Sequence, residues 1–97
     1  MAIKVIVELQ AKPGKRAEVK TLLESVAAAL GPGEPGFLGS TTYVVLDNPN
    51  ILVEIADWES VEARAEAMQQ VMASNAYAPL SELLAAPLRA TVIRQLP

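Results

Sequence analysis

The hydrophobic period of this chain alternates between about two residues and about 3.6, and the order in which it does so is what most narrows the possible folds. Ile3, Val5, Val7 and Leu9 alternate with Lys4, Ile6, Glu8 and Gln10, a period-two strand rich in β-branched residues. Pro13-Gly14 ends it, and Val19, Leu22, Leu23, Val26 and Leu30 then fall on one helical face with Arg16, Glu18, Lys20 and Glu24 on the other. Gly31-Pro32 closes that helix, since glycine suits a left-handed cap and proline cannot continue the ladder. Gly31 to Gly36 is a helix-to-strand loop, and Phe37 to Leu46 reads as a long second strand. The cluster Asp47-Asn48-Pro49-Asn50 is a hairpin turn into a third strand, Ile51 to Trp58. Ser60 then caps a second helix, with Val61, Ala65, Met68, Val71 and Met72 as its expected buried stripe. Ser74-Asn75 breaks it, Pro79 opens a short helix to about Leu84, and Leu88 to Arg94 supplies a fourth strand.

Strand, helix, hairpin, helix, strand within 97 residues is the ferredoxin-like order β-α-β-β-α-β: one α+β domain over residues 1–97, an antiparallel sheet with both helices on one face. The other face is left open, and Ile6 with part of the second strand lies on it. Together with a composition that is 52% hydrophobic, high for so small a domain, this predicts a homodimer joined through its sheet faces as a closed barrel.

The charged residues exclude several functions. Eight basic and eleven acidic side chains give a net charge of −3 without a basic run, so neither nucleic acid nor a membrane surface is an expected partner. The chain contains no cysteine and no histidine, which removes thiol chemistry, the commonest general base and the usual transition-metal and haem ligands. Gly31-Pro32-Gly33 follows a helix and loses backbone donors to proline, so it is no phosphate loop. No metal, flavin or haem is expected. The N-terminus begins directly in a strand pattern and no apolar stretch reaches membrane-span length, so the bacterial cytoplasm is the default expectation.

Lys12-Pro13-Gly14-Lys15, Pro35-Gly36-Phe37-Leu38-Gly39-Ser40, Leu46-Asp47-Asn48-Pro49-Asn50 and Ile55-Ala56-Asp57-Trp58-Glu59-Ser60 occur in an order that resembles the antibiotic biosynthesis monooxygenase family. The resemblance spans nearly the whole chain, and Trp58-Glu59-Ser60 is its most specific part. It implies a dimeric α/β barrel with a small-molecule cavity between sheet and helices. It also implies oxygenase chemistry of the kind that turns phenols into quinones without metal or flavin. The chain departs from the family pattern in two places: Ala56 stands where a Glu is frequent, and no His occurs in the following helix near Glu66 or Ala67. Haem-degrading relatives add an Asn to the first strand, where Ile6 and Val7 stand here, so haem is not an expected substrate.

The candidate site residues follow from residue type and place. Trp58, the only tryptophan, is either a core aromatic sealing the helix start or a flat wall for an aromatic ligand. Glu54, inside the apolar run Ile51-Leu52-Val53-Glu54-Ile55, is either a surface carboxylate paired with Arg89 or Arg94, or a cavity-facing base whose pKa burial would raise. Arg89 and Arg94 point to opposite faces of the last strand. Arg89 is the first candidate for a cation that stabilises a phenolate, with Arg64 and Arg94 as alternatives. Tyr43, Met68, Met72 and Tyr77 are candidate pocket residues, although a methionine pair at helical spacing equally suits ordinary core packing. Ser40, Thr41 and Thr42 lack a partner base, and Asp57 and Glu59 lack further ligands for a metal. Two functions fit: a cofactor-independent monooxygenase acting on a small phenolic or polycyclic aromatic compound, or a dimeric barrel of the same fold that binds a small molecule without oxidising it.

Overall fold

The computed structural model describes residues 2–30 and 34–96. Its elements are β1 (Ile3–Gln10), α1 (Arg16–Leu30), β2 (Phe37–Val45), β3 (Asn48–Trp58), α2 (Val61–Ala73), α3 (Leu80–Leu83) and β4 (Arg89–Ile93). The four strands form one antiparallel sheet in the order β2-β3-β1-β4, the α+β ferredoxin-like arrangement. The Leu30 side chain and the Gly31-Pro32 stop lie outside the described residues. Among the described residues no helix is long and apolar enough to cross a membrane.

The period-two pattern of β1 divides the sheet as alternation demands: Ile3, Val5 and Leu9 are buried beneath the helices, while Lys4 and Glu8 are exposed on the other face. Pairing carries that division into β3, where Ile3 opposes Trp58, Val5 opposes Ala56, Val7 opposes Glu54 and Leu9 opposes Leu52. On α1, Val19, Leu23 and Val26 are buried and Leu22 is half-buried, so the helical stripe faces the sheet as its spacing predicts. The core is divided. Leu9, Ala11, Val19, Leu23, Leu52, Leu80 and Leu84 form one cluster toward α1 and α3. Ile3, Val5, Ala56, Trp58 and Ala67 form another beneath α2, and Val7 packs against both.

Three details differ from the sequence pattern. The hairpin turns at Leu46-Asp47 and β3 already begins at Asn48, because the Asn50 carbonyl accepts from the Ala11 amide at 2.7 Å and draws this stretch into the ladder. Pro49 is tolerated there at the exposed start of the strand. The buried face of α2 is Ala67 and Val71, flanked by half-buried Ala63, Arg64 and Met68; Val61, Ala65 and Met72 are exposed. In an alanine-rich helix the apolar pattern leaves the facing side under-determined, and two contacts at its start fix it instead. The Ser60 hydroxyl accepts from the Ala63 amide at 3.1 Å as the N-cap, and Gly36 packs directly against Ala63. Finally, β2 carries a bulge: Phe37 opposes Trp58 and Gly39 opposes Asp57, leaving Leu38 without an opposite residue and 58% exposed.

Gly36 has φ +81, and a Cβ at this position would overlap the Ala63 methyl group. Its carbonyl also accepts from the Glu59 amide at 2.8 Å, so the backbone cannot shift freely away from α2. Gly36→Ala should therefore destabilise the protein by about 2 kcal/mol or more, from left-handed backbone strain plus overlap. Denaturant unfolding would measure this, with Gly14→Ala as the control, because Gly14 shares the positive φ but has open space around it.

Candidate functional site

The gap between the two core clusters is a cavity of about 100 Å³. Its floor is the helix-facing side of the sheet: Val5, Val7 and Leu9 of β1, Glu54, Ala56 and Trp58 of β3, with Ala90 beyond on β4. Leu23, Val26 and Ala27 of α1 and Arg64 and Met68 of α2 cover it, and Tyr77 and Leu80 close the side next to α3. The walls are mainly aliphatic, so the polar groups that enter stand out.

Glu54 reaches the cavity because it shares strand parity with Ala56 and Trp58 and lies opposite Val7. Among the described residues no hydrogen bond or ion pair engages it, and partial burial raises the pKa of its carboxyl above the ordinary value. Tyr77, in the turn between α2 and α3, also has a raised pKa. Burial is the main cause, the nearby Glu54 charge adds to it, and Arg64 opposes it. Carboxylate, phenol and guanidinium therefore converge on one space from β3, the α2–α3 turn and α2. None is sealed from solvent, and among the described residues none has a protein partner in hydrogen-bond contact. Such an arrangement can take a proton from a bound hydroxyl at Glu54 and hold the resulting anion near Arg64.

Trp58 is 2% exposed, packs within the core cluster beneath α2 and also forms part of the cavity wall. Phe37 meets it with ring centroids 5.0 Å apart at an interplanar angle of 51°. Trp58 is thus a core residue that also borders the cavity.

The remaining candidates separate. Met68 and Tyr77 line the cavity. Tyr43 does not: it opposes Val53 on the open face and is 52% exposed, because β2 parity puts it opposite to Thr42 and Val44. Met72 is 65% exposed, one position past the buried Val71. Arg89 pairs in register with Glu8 on the open face, so it is neither the cavity cation nor a partner for Glu54. Arg94 lies past the last paired residue of β4 and outside the cavity lining. The cavity cation is thus Arg64. Sequence parity missed Phe37 and Ser40, three residues apart yet both in the lining, because the bulge at Leu38 realigns them. Gly39, isolated within a strand pattern and carrying φ +130, was the available signal for that bulge. Among the described residues no cluster of three His, Cys, Asp or Glu side chains could hold a metal ion.

The sequence profile of the antibiotic biosynthesis monooxygenase family matches residues 2–78. Comparison with curated proteins gives no match. Among solved structures, Rv0793 from Mycobacterium tuberculosis superimposes with a TM-score of 0.85 at 25% identity, covering 100% of this chain and 97% of that one. A conserved protein from Methanosarcina mazei Go1 gives 0.86 at 25% identity, covering 99% and 94%. SnoaB, a cofactor-independent oxygenase from Streptomyces nogalater, gives 0.83 at 20% identity, covering 97% and 92%, a likeness of fold. Since the profile spans most of the sequence, this chain belongs to the antibiotic biosynthesis monooxygenase family.

Proposed function

We propose that the protein is a cofactor-independent monooxygenase that oxidises a small phenolic compound to a quinone, with Glu54 as base and Arg64 as the anion-stabilising cation. Family membership supports the general monooxygenase-like function. The observation that carries the finer reading is the unpaired, partly buried carboxylate of Glu54 in an aliphatic cavity that also holds Arg64 and the Trp58 wall. Glu54 removes the phenolic proton, and the phenolate then transfers an electron to dioxygen. Recombination at the para carbon gives a hydroperoxide. Loss of water from it leaves one oxygen atom as the new quinone carbonyl and the other in the water. The substrate supplies all the electrons, so phenol plus dioxygen gives quinone plus water without an added reductant. The protein need only deprotonate, hold the anion and limit water.

Glu54→Gln keeps the shape and cannot accept a proton, so oxygen uptake with a panel of phenols and hydroquinones should fall to background while binding persists. The wild-type rate should rise with pH along a limb above the ordinary carboxylate range, since the working form is the ionised one and burial raises the pKa. Full oxygen uptake by the variant would remove Glu54 from the role; binding without uptake by the wild type would leave a small-molecule-binding protein. Stability gives an independent readout. Because the folded-state pKa is raised, the protonated form is favoured by folding, and stability is lost as pH rises through that pKa. Glu54→Gln should thus melt higher than wild type at neutral pH, with the difference disappearing in acid.

The same proposal includes a homodimer joined through the open sheet faces. Half-buried Ile6, Ile51, Val53 and Ile55 lie on that face together with exposed Tyr43 and Ile93, a concentration of apolar surface that water disfavours. Sedimentation at micromolar concentration should give a dimer, and Ile55→Lys should give a folded monomer. A wild-type monomer at that concentration would refute the association.

A further inference from the structure

We infer that the cavity admits a substrate of one hydroxylated aromatic ring, seated over Ala56 between Glu54 and Trp58, and that Ala56 is the residue that sets this size limit. This rests on the oxygenase reading for its chemistry, but the size limit comes from the shape of β3. Glu54, Ala56 and Trp58 are successive residues on the helix-facing side of one strand. At about 3.4 Å per residue, the Cα atoms of Glu54 and Trp58 stand about 14 Å apart with Ala56 midway. Large, small, large is the pattern of a notch: the Ala56 methyl group leaves open the space that a Val or Leu would fill.

The two neighbours of Ala56 in its row differ. Val5 on one side is a buried core residue that closes the notch, and Ser40 on the other is small and leaves it open toward the edge strand β2. Along the strand, Ala56 belongs to the half of the core that contains Trp58 and Ala67, and the notch is bounded at its other end by the half that contains Leu9, Leu23 and Leu80. A longer ligand would have to separate these clusters, which Val7 joins. The volume agrees with this limit. The cavity is about 100 Å³. That is about two-thirds of the ~150 Å³ known to take a benzene ring, so one ring is the upper limit, and well below the roughly 300–1,000 Å³ of pockets for larger ligands. The chemistry gives the orientation: the polar groups Glu54, Arg64 and Tyr77 take the hydroxyl end, and the Trp58 end takes the unsubstituted edge.

Trp58 is the only tryptophan, so its fluorescence reports occupancy of the notch without turnover. Titrations under argon with phenol, 1-naphthol and 1-anthrol, each with an open carbon para to the hydroxyl, would compare one, two and three rings. A pocket without a size limit would bind the larger, more apolar phenols more tightly. The expected result is the reverse, saturable binding of phenol and a weakening of about tenfold or more for each added ring, the order of an overpacking penalty. Ala56→Leu should weaken phenol binding by a similar factor, and Ala56→Val, which suits a strand, should act in the same direction if the leucine variant does not fold. Tighter binding of 1-anthrol than of phenol, or unchanged binding by a folded Ala56 variant, would overturn the inference. Oxygen uptake measured separately distinguishes the two levels. Uptake with the three-ring phenol at higher affinity removes the size limit and keeps the oxygenase, whereas one-ring binding without uptake keeps the size limit and removes the oxygenase. Absence of binding by all three overturns both.

Discussion

A carboxylate on the helix-facing side of a central strand is the constraint around which this small domain is arranged. Strand alternation places Glu54 where an aliphatic residue would otherwise join the two halves of the core. A charge cannot be packed against Val7, Leu9 and the covering helices without a partner or access to solvent. Among the described residues no protein partner is supplied here, and the site stays open enough to keep the polar atoms wet. The aliphatic core consequently forms two clusters with a cavity between them. Position, burial and unpaired state of this one residue thus account for both the location of the site and its capacity to take a proton.

The second polar requirement is met from a different layer. Arg64 descends from α2 rather than rising from the sheet, and its placement depends on how the first turn of that helix is fixed. The Ser60 cap and the close approach of Gly36 to Ala63 set the rotation that turns Ala67 and Val71 to the core and carries Arg64 and Met68 to its border. Rotating the helix to bury Met72 instead would withdraw the guanidinium. A guanidinium delivered by a helix above a carboxylate delivered by a strand leaves the space between them open, which a cross-strand ion pair would have closed.

The fold was legible because its signals are local and redundant: β-branched alternation in β1, a full apolar stripe on α1, and Pro-Gly punctuation between them. The site was legible only in part. Glu54 and Trp58 could be found because each is an exception within its segment, a charge in an apolar run and a single large aromatic at a strand end. Arg89 and Tyr43 could not be assigned a face from sequence, because the parity of β2 and β4 is defined only by their pairing with β3 and β1. The bulge at Leu38 added a further offset, bringing Phe37 and Ser40 to one side against their spacing. For α2, alanine at many positions leaves nothing for a periodicity argument to count, and contacts with neighbouring segments decide its orientation.

The short segment around α3 is attached to the end of β1 through the main chain: the Lys12 amide donates to the Leu83 carbonyl at 2.8 Å, and the Ala85 amide to the Gln10 carbonyl at 2.7 Å. Ala11 and Leu84 make an isolated bridge between these two bonds. Such a clamp depends on backbone atoms and is indifferent to most side-chain identities. The main-chain clamp thus holds the segment to the sheet, while Leu80 and Leu84 anchor it in the core; of the cavity-lining side chains here, the half-buried Tyr77 in the adjoining turn is the one whose replacement changes the cavity with least disturbance to that core.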